Sequence, residues 1–461
     1  MTTTNLPSVE LKQKSFWWQH LTGYHWFVFF VASAAWFFDC LDQRLFSLAR
    51  NPALAWLMHN APNSVEVQAY GKNVTACFLI GWGIGGMILG AMGDKFGRSR
   101  MLALSIATYS MFTTLCFFSH SWLDFAVFRF LTGLGIGGVF GLAVSLIAET
   151  VPSVARPQAL GLLQVLSTGG NLSAAFVKMG IDSHFKANPG EAWRWMFLVG
   201  SVPALGVIIC TRFIREPEPW LRLKAAGLLP KGNILAPYGR LFREERWRRN
   251  LIVGALIAST GVVGLWAIGE YATDLQSNIF TTYYKGQGIT EVAALKAHVE
   301  HARNYAFILN MIGAGVGMWL FTKVAAATGR RFAFLCGFTA ALTVTAFVYW
   351  KMSTPFDAYW MMPLMGAAQL GVFAGFSIYL PELFPSALRS TGTSFCYNLG
   401  RFAAAGGSFF SFVLSKKVFA NGDPTSSLPL RYSAITMCAI FLVGLATLPF
   451  APETKGKPLP E

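Results

Sequence analysis

Apolar stretches long enough to cross a bilayer recur along almost the entire chain. A helix needs roughly 20 apolar residues to span the ~30 Å hydrocarbon core. Windows of that kind lie near residues 22–48, 70–92, 100–118, 122–147, 158–180, 194–213, 251–271, 304–323, 332–350, 358–380, 391–414 and 432–450. Charge is confined to the seams between them. Only 13% of the 461 residues are charged and 40 are phenylalanine, too little charge to cover a soluble domain of this size. The expected fold is an all-α membrane protein with twelve transmembrane helices, one per window.

A net charge of +15 would suit a nucleic-acid partner if it formed a patch. Instead, with the N-terminus inside, roughly twice as many Lys and Arg fall on cytoplasmic seams as on outer ones, the positive-inside bias. About ten basic residues between Arg212 and Arg249 are placed to touch anionic headgroups. The lipid bilayer is therefore the expected partner and nucleic acid is not. Residues 1–20 hold Lys12 and Lys14 but no small-residue cleavage site behind a short apolar core, so no cleaved signal peptide is expected. The seven cysteines (Cys40, Cys77, Cys116, Cys210, Cys336, Cys396 and Cys438) fall inside apolar windows without metal-ligand spacing. His298 and His301 offer two imidazoles, too few for zinc. The glycines of 81–90 and 133–138 lie inside apolar helices with no preceding strand, which suits close helix packing rather than a dinucleotide. No metal, no cofactor and no enzymatic constellation is expected.

The chain is also internally repeated. Glu149-Thr-Val-Pro152-Ser-Val-Ala-Arg156 follows the fourth window and Glu382-Leu-Phe-Pro385-Ser-Ala-Leu-Arg389 follows the tenth, about 233 residues later. Gly97-Arg98 recurs as Gly329-Arg330 at nearly the same offset. Two homologous halves predict a site at their interface near the bilayer midplane, open alternately to each side. The expected divisions are a cytoplasmic segment 1–21, a six-helix bundle 22–214, a basic cytoplasmic linker 215–250, a second bundle 251–450 and a cytoplasmic tail 451–461.

Three motifs resemble the major facilitator superfamily, and the likeness covers nearly the whole chain. They are Gly93-Asp94-Lys95-Phe96-Gly97-Arg98-Ser99-Arg100, Arg129 followed by Gly133, Gly135, Gly137 and Gly138, and Pro452-Glu453-Thr454-Lys455-Gly456. Asp39-Cys40-Leu41-Asp42 resembles the D-G-x-D motif of the aromatic-acid and metabolite proton symporters, with Cys40 in place of glycine. The paired glutamines of sugar porters are absent from 251–271, and the Gly-Pro motif of drug antiporters is absent from 161–176. The resemblance implies two pseudo-symmetric six-helix bundles and secondary active transport of a small-molecule substrate by a monomer in the bacterial inner membrane, with both termini cytoplasmic. A proton gradient would drive it. The substrate would be an organic acid or related metabolite; a sugar or other neutral solute is the alternative, and a solute receptor that moves nothing is a remote one.

An ionised side chain at the bilayer centre costs ~2.5–3.5 kcal/mol on insertion scales, so each needs a reason. Arg401 falls eleven residues into the eleventh helix, about 16 Å along it, where a guanidinium can grip a carboxylate through two hydrogen bonds. Its structural alternative is an ion pair with Glu270 or Asp274. Asp39 and Asp42 share one side of the first helix; desolvation would suit either to proton loading, with Asp42 placed nearer the wet outer end. The resemblance implies a part in proton transfer for Arg129, while Asp124 five residues earlier offers a local pair. Gln164, Asn171, Asn398, Trp36, Tyr397 and Glu270 complete the expected substrate lining. Asp94, Arg98, Glu149, Arg156, Gly329, Arg330, Glu382 and Arg389 form the expected latch, paired when the inner side is closed. Ala326 and Ala327 stand where the second half should carry the equivalent of Asp94, so the latch should be asymmetric.

Overall fold

A computed structural model describes residues 16–61, 64–185, 190–230, 232–419 and 426–460. Six long helices come first: α1 (Gly23–Leu57), α2 (Val65–Phe96), α3 (Arg98–Cys116), α4 (Trp122–Thr150), α5 (Arg156–His184) and α6 (Ala192–Thr211). Two short helices follow, α7 (Glu218–Ala225) and α8 (Ala236–Arg243). The seventh span joins α9 (Glu245–Val263), a π-helical turn at Gly264–Ile268 and α10 (Gly269–Gly286). The remaining spans are α11 (Val292–Thr328), α12 (Arg330–Lys351), α13 (Pro355–Glu382), α14 (Arg389–Val413) and the broken pair α15 (Leu428–Met437) and α16 (Ile440–Thr447).

Ten of these spans are long and apolar enough to cross a membrane by length and hydropathy alone. The other two, α3 and α14, carry polar residues that find partners inside the protein: Ser105 donates to the Gly135 carbonyl at 2.6 Å and Asn398 to the Ser394 carbonyl at 2.8 Å. Several windows end too early. The outer loop expected between 271 and 304 is mostly helix, because α10 runs to Gly286 and α11 begins at Val292. Hydropathy marks the part of a helix in lipid, whereas hydrogen bonding carries it on into polar sequence.

The repeat is visible in the joints. Ser121 caps α4 and receives Asp124 in return; Thr354 caps α13 and receives Asp357 in return, at the offset of the larger repeat. Each reciprocal box satisfies helix-start N–H groups that would otherwise lack a partner. Gly97 and Gly329 turn the chain into α3 and α12 at φ 112° and 118°, a region that penalises any Cβ. Each is followed by a helix whose first N–H groups point at a carboxylate. Glu216 accepts from Arg98, Ser99 and Arg100, and Glu453 accepts from Arg330 and Arg331.

Each bundle holds a helix pair that packs at backbone distance through successive glycines. A Cβ added at Gly137 would fall 2.2 Å from the Trp82 carbonyl oxygen, and one at Gly85 would fall 2.0 Å from that of Leu134, so α2 and α4 interlock through paired glycines. The matching pair in the second bundle is α11 and α13, where Gly313 meets the Pro363 carbonyl and Gly317 that of Ala367. The two bundles meet along α2 with α14 and α5 with α11.

Gly137→Val should push α4 off α2 and destabilise the protein by at least ~1–3 kcal/mol. The readout is the unfolding midpoint of detergent-purified protein, which should fall by several degrees; an unchanged midpoint would show that the crossing is not tight. At Glu453, burial raises the carboxyl, but backbone N–H donors from Arg330, Lys455, Arg331 and Thr454 outweigh it and hold it below its ordinary range. A lowered carboxylate contributes stability above its unfolded value and loses it as pH falls through the lowered one. Glu453→Gln should therefore lower the midpoint at neutral pH, with the gap to wild type closing as pH drops below the ordinary glutamate value of about 4.3.

Candidate functional site

Three groups of buried charge lie along the axis of the molecule. The first is at the face where α1 starts and α16 ends. There Asp94 accepts from the N–H groups of Ser390 and Thr391 at 3.1 and 2.8 Å and from the Thr391 hydroxyl at 2.6 Å, placing its charge on the N-terminus of α14. Arg98 pairs with Asp94 and with Glu149, both at 3.1 Å, and also donates to the Ser386 carbonyl. Arg389 crosses from the second bundle to Glu149 at 2.6 Å. All four side chains are buried.

This latch is one-sided. Arg330 pairs with Glu382 at 2.7 Å in the same manner as Arg98 with Glu149, but the pair stays within the second bundle, joined by the Thr454 hydroxyl. Arg156, the repeat-mate of Arg389, donates only to its own neighbour's Val151 carbonyl at 3.5 Å, and its Nε is buried without a partner. Among the described residues Arg156 therefore makes no ion pair across the interface, and Glu382 lies only within its electrostatic reach. Two substitutions account for this together: alanine stands where Asp94 would recur, and Pro157, with no N–H to offer, stands where Ser390 would recur.

The second group is Asp42 with Arg129. Asp42 is not at the wet end of α1 as expected; it is 1% exposed and meets Arg129 at 3.3 Å. Its other oxygen accepts from the Thr113 hydroxyl at 3.0 Å. Arg129 also donates to Cys116, Thr113 and Thr132 and lies over the Phe197 ring. Asp124 is no partner for it, being committed to the α4 cap. Removing one member of such a buried pair costs ~3–5 kcal/mol.

The third group is central. Arg401 is 3% exposed, with its guanidinium carbon 3.2 Å from the Trp82 ring centroid and 4.9 Å from that of Tyr397. Its Nε donates to Asn398 at 3.2 Å. Among the described residues no carboxylate pairs with it. The structural alternative for Arg401 fails for Asp274, which is exposed on α10; the side chain of Glu270 lies outside the described residues. Asp39, fully buried on α1, is within electrostatic reach of Arg401. One of its oxygens accepts from Gln43 at 3.2 Å and the other is buried with no hydrogen-bond partner. So Asp39 and Asp42, three residues apart, look at different partners: Asp42 into the first bundle, Asp39 toward the second.

Aromatic rings wall the space around Arg401. Tyr397 stacks on Phe140 at 3.9 Å, Trp36 stands at 5.1 Å from Phe140, and Trp82 meets Trp266 of the π turn at 6.3 Å. Gln164 accepts from the Trp36 indole at 3.1 Å. Asn171 donates to its own helix at Ser167, at 3.2 Å, and is bound to no other helix among the described residues. Trp82, Trp266 and Phe140 escaped the sequence reading. Only the setting of Trp82, with glycine on either side, set one of them apart from the lipid-facing aromatics.

No cluster of three or more His, Cys, Asp or Glu with metal-holding geometry occurs among the described residues. A recess of ≈ 530 Å³ between α3, α6 and α7, lined by Arg100, Arg212 and Trp220, opens at the latch face, away from Arg401.

Residues 25–408 match the profile of the Major Facilitator Superfamily. The chain is 23% identical over 455 residues to the niacin transporter NiaP of Acinetobacter baylyi, covering 95% of this chain and 96% of that one. It is 27% identical over 432 residues to a probable 4-methylmuconolactone transporter of Cupriavidus pinatubonensis, covering 93% and 90%. Among solved structures, the proton:xylose symporter XylE bound to 6-bromo-6-deoxy-D-glucose superimposes with a TM-score of 0.74 at 19% identity, covering 95% of this chain and 98% of that one.

Glu149→Gln should release Arg98 and Arg389 and open the latch face. Ser394, buried where α14 faces Gly90 and Gly141, reports this when changed to cysteine. Maleimide should leave Ser394→Cys unlabelled in the parent background and label it at least about tenfold faster with Glu149→Gln added, as loss of a ~3–5 kcal/mol pair implies. Equal labelling in both would show that the latch does not hold this face closed.

Proposed function

The chain belongs to the Major Facilitator Superfamily, and on that premise we propose that this transporter is a proton-coupled symporter of a small organic carboxylate. The observation that carries the reading is Arg401: a buried guanidinium with no carboxylate among the described residues paired to it, its carbon 3.2 Å from the centroid of the Trp82 ring. Cation–π contact is worth ~2 kcal/mol when desolvated, less than the full neutralisation of a buried ion. An entering carboxylate supplies the rest through a bidentate contact, and the rings of Trp36, Phe140 and Tyr397 suit a planar or apolar body behind it. Gln164, Asn171 and Asn398 add hydrogen-bonding capacity. The relatives named for niacin and 4-methylmuconolactone support this substrate class.

In this mechanism Asp39 carries the proton. Its orphan oxygen suits a protonated carboxyl, and neutralising it beside Arg401 frees the guanidinium to hold a substrate anion. Asp42 and Arg129 form the neighbouring relay, and the Asp94–Arg98–Glu149–Arg389 latch holds one of two alternating states, with Arg156, Gly329, Arg330 and Glu382 as the counterpart joint of the second half. The driving force is the proton gradient, with no cofactor. The protein works as a monomer in the inner membrane with both ends cytoplasmic, divided into bundles 22–214 and 251–450 by the basic linker 215–250. The second reading, a neutral sugar, is favoured by the fold likeness to the proton:xylose symporter.

Uptake into proteoliposomes with an alkaline interior separates these readings. Labelled nicotinate, benzoate, cis,cis-muconate and xylose are offered with and without a protonophore. A carboxylate should accumulate, the protonophore should abolish accumulation, and Arg401→Gln should reduce uptake by about tenfold to a hundredfold, the worth of a charged hydrogen-bonded contact. Asp39→Asn should lose accumulation yet keep counterflow exchange. Xylose uptake that survives Arg401→Gln would overturn the carboxylate reading.

A further inference from the structure

Beyond the central site, a second pair of arginines lies at the opposite end of the molecule from the latch. Arg44 sits 21 residues into α1, about 31 Å from its start, and Arg303 lies near the outer end of α11. Helices α1 and α11 share no extended packing face, unlike α5 and α11. Arg44 bridges the two: its guanidinium rests 3.9 Å from the centroid of Phe307 on α11. Arg303 is one turn before Phe307 on the same helical face, and its charge reaches Arg44.

This contact is unfavourable as a mere closure. Arg44 is half-buried, its Nε is buried with no hydrogen-bond partner, and it forms no ion pair with any described residue. Arg303 has Asp274 and Glu300 within electrostatic reach, but among the described residues the charge that bears on Arg44 is another cation. A guanidinium over an aromatic ring with one donor unsatisfied, and a second arginine one turn from that ring on the facing helix, make a site that lacks its anion among the described residues. Arg44 also lies five residues beyond Asp39 on α1, about 7.5 Å of helix rise from the central site.

We propose that Arg44 and Arg303 form an outer anion site, separate from Arg401, which takes the carboxylate of the incoming solute first and passes it inward along α1. Its ligand is a monocarboxylate small enough to fit between α1 and α11. The planar forks of the two arginines bind it, and the Phe307 ring supports its apolar part. The site rests on the carboxylate reading of Arg401, and its test is arranged so that the two can fail separately.

Initial rates of labelled benzoate uptake are measured in proteoliposomes for wild type, Arg44→Gln, Arg303→Gln and Arg44→Lys. Each glutamine variant should raise the half-saturation concentration about tenfold while the maximal rate changes by less than about twofold, and Arg44→Lys should recover part of the loss. Half-saturation unchanged in both glutamine variants would overturn the proposal. Binding is measured in parallel by equilibrium dialysis of labelled benzoate against purified Arg401→Gln protein, whose central site is disabled. A saturable component that vanishes on adding Arg44→Gln or Arg303→Gln supports the outer site even if no benzoate is transported. The absence of any arginine-dependent component overturns it, whatever the transport result. Arg303→Gln keeps the test open should Arg44→Gln fail to fold, since Arg303 is only half-buried and holds no packing contact with a ring.

Discussion

Neutralisation of charge in a low-dielectric interior is the constraint around which this molecule is arranged. A lone ion there is penalised by several kcal/mol, so each buried arginine must be read by what faces it. Arg98, Arg389 and Arg330 face carboxylates of the protein, and Arg129 faces Asp42. Those are closed accounts within one conformation. Arg401 faces the Trp82 and Tyr397 rings instead. Among the described residues the protein thus separates cations paired to its own carboxylates from one that rests on aromatic rings, and the proposed carboxylate site is built on that difference.

Duplication explains why the joints look alike, and its breakage explains why the latch does not. The caps at Ser121 and Thr354, the glycine turns at 97 and 329, and the carboxylates of Glu216 and Glu453 serve the two bundles in the same way. Only one half reaches across. Asp94 can receive the first turn of α14 because Ser390 and Thr391 present N–H groups; at the corresponding place an alanine side chain would face Pro157, which has none to give. The acceptor and the donor are missing together, and Arg156 Nε and Gln158 Oε1 are left buried there without a partner. One strong crossing and one weak one let the closed face be held from a single side, which suits a switch with two populated states.

The helical architecture and its repeat were legible because lipid imposes them locally: every backbone group must be satisfied within its own segment, so length and hydropathy report a span directly. Even so, α3 and α14 lie below the hydropathy that marks the other spans, since their serines, threonines and Arg401 face protein and not lipid. The seventh and eighth spans run well past their apolar windows for a related reason. Once a helix is nucleated and packed, polar sequence can extend it into water.

Partner choice was not legible in the same way. Asp39 and Asp42 share one helical side in sequence, yet one is locked to Arg129 on α4 and the other keeps a free oxygen near Arg401 on α14. By itself the sequence determined the membrane-spanning helices, their duplication, the motif charges of the seams and the family to which the chain belongs, because these depend on composition and spacing along one strand of residues. Tertiary structure alone decided which charges neutralise each other, which tryptophan covers Arg401 and which arginine was left facing another cation. Pairing energy in a low dielectric falls off over a few ångströms, and contacts between residues hundreds of positions apart are set by how helices cross, which no local pattern records.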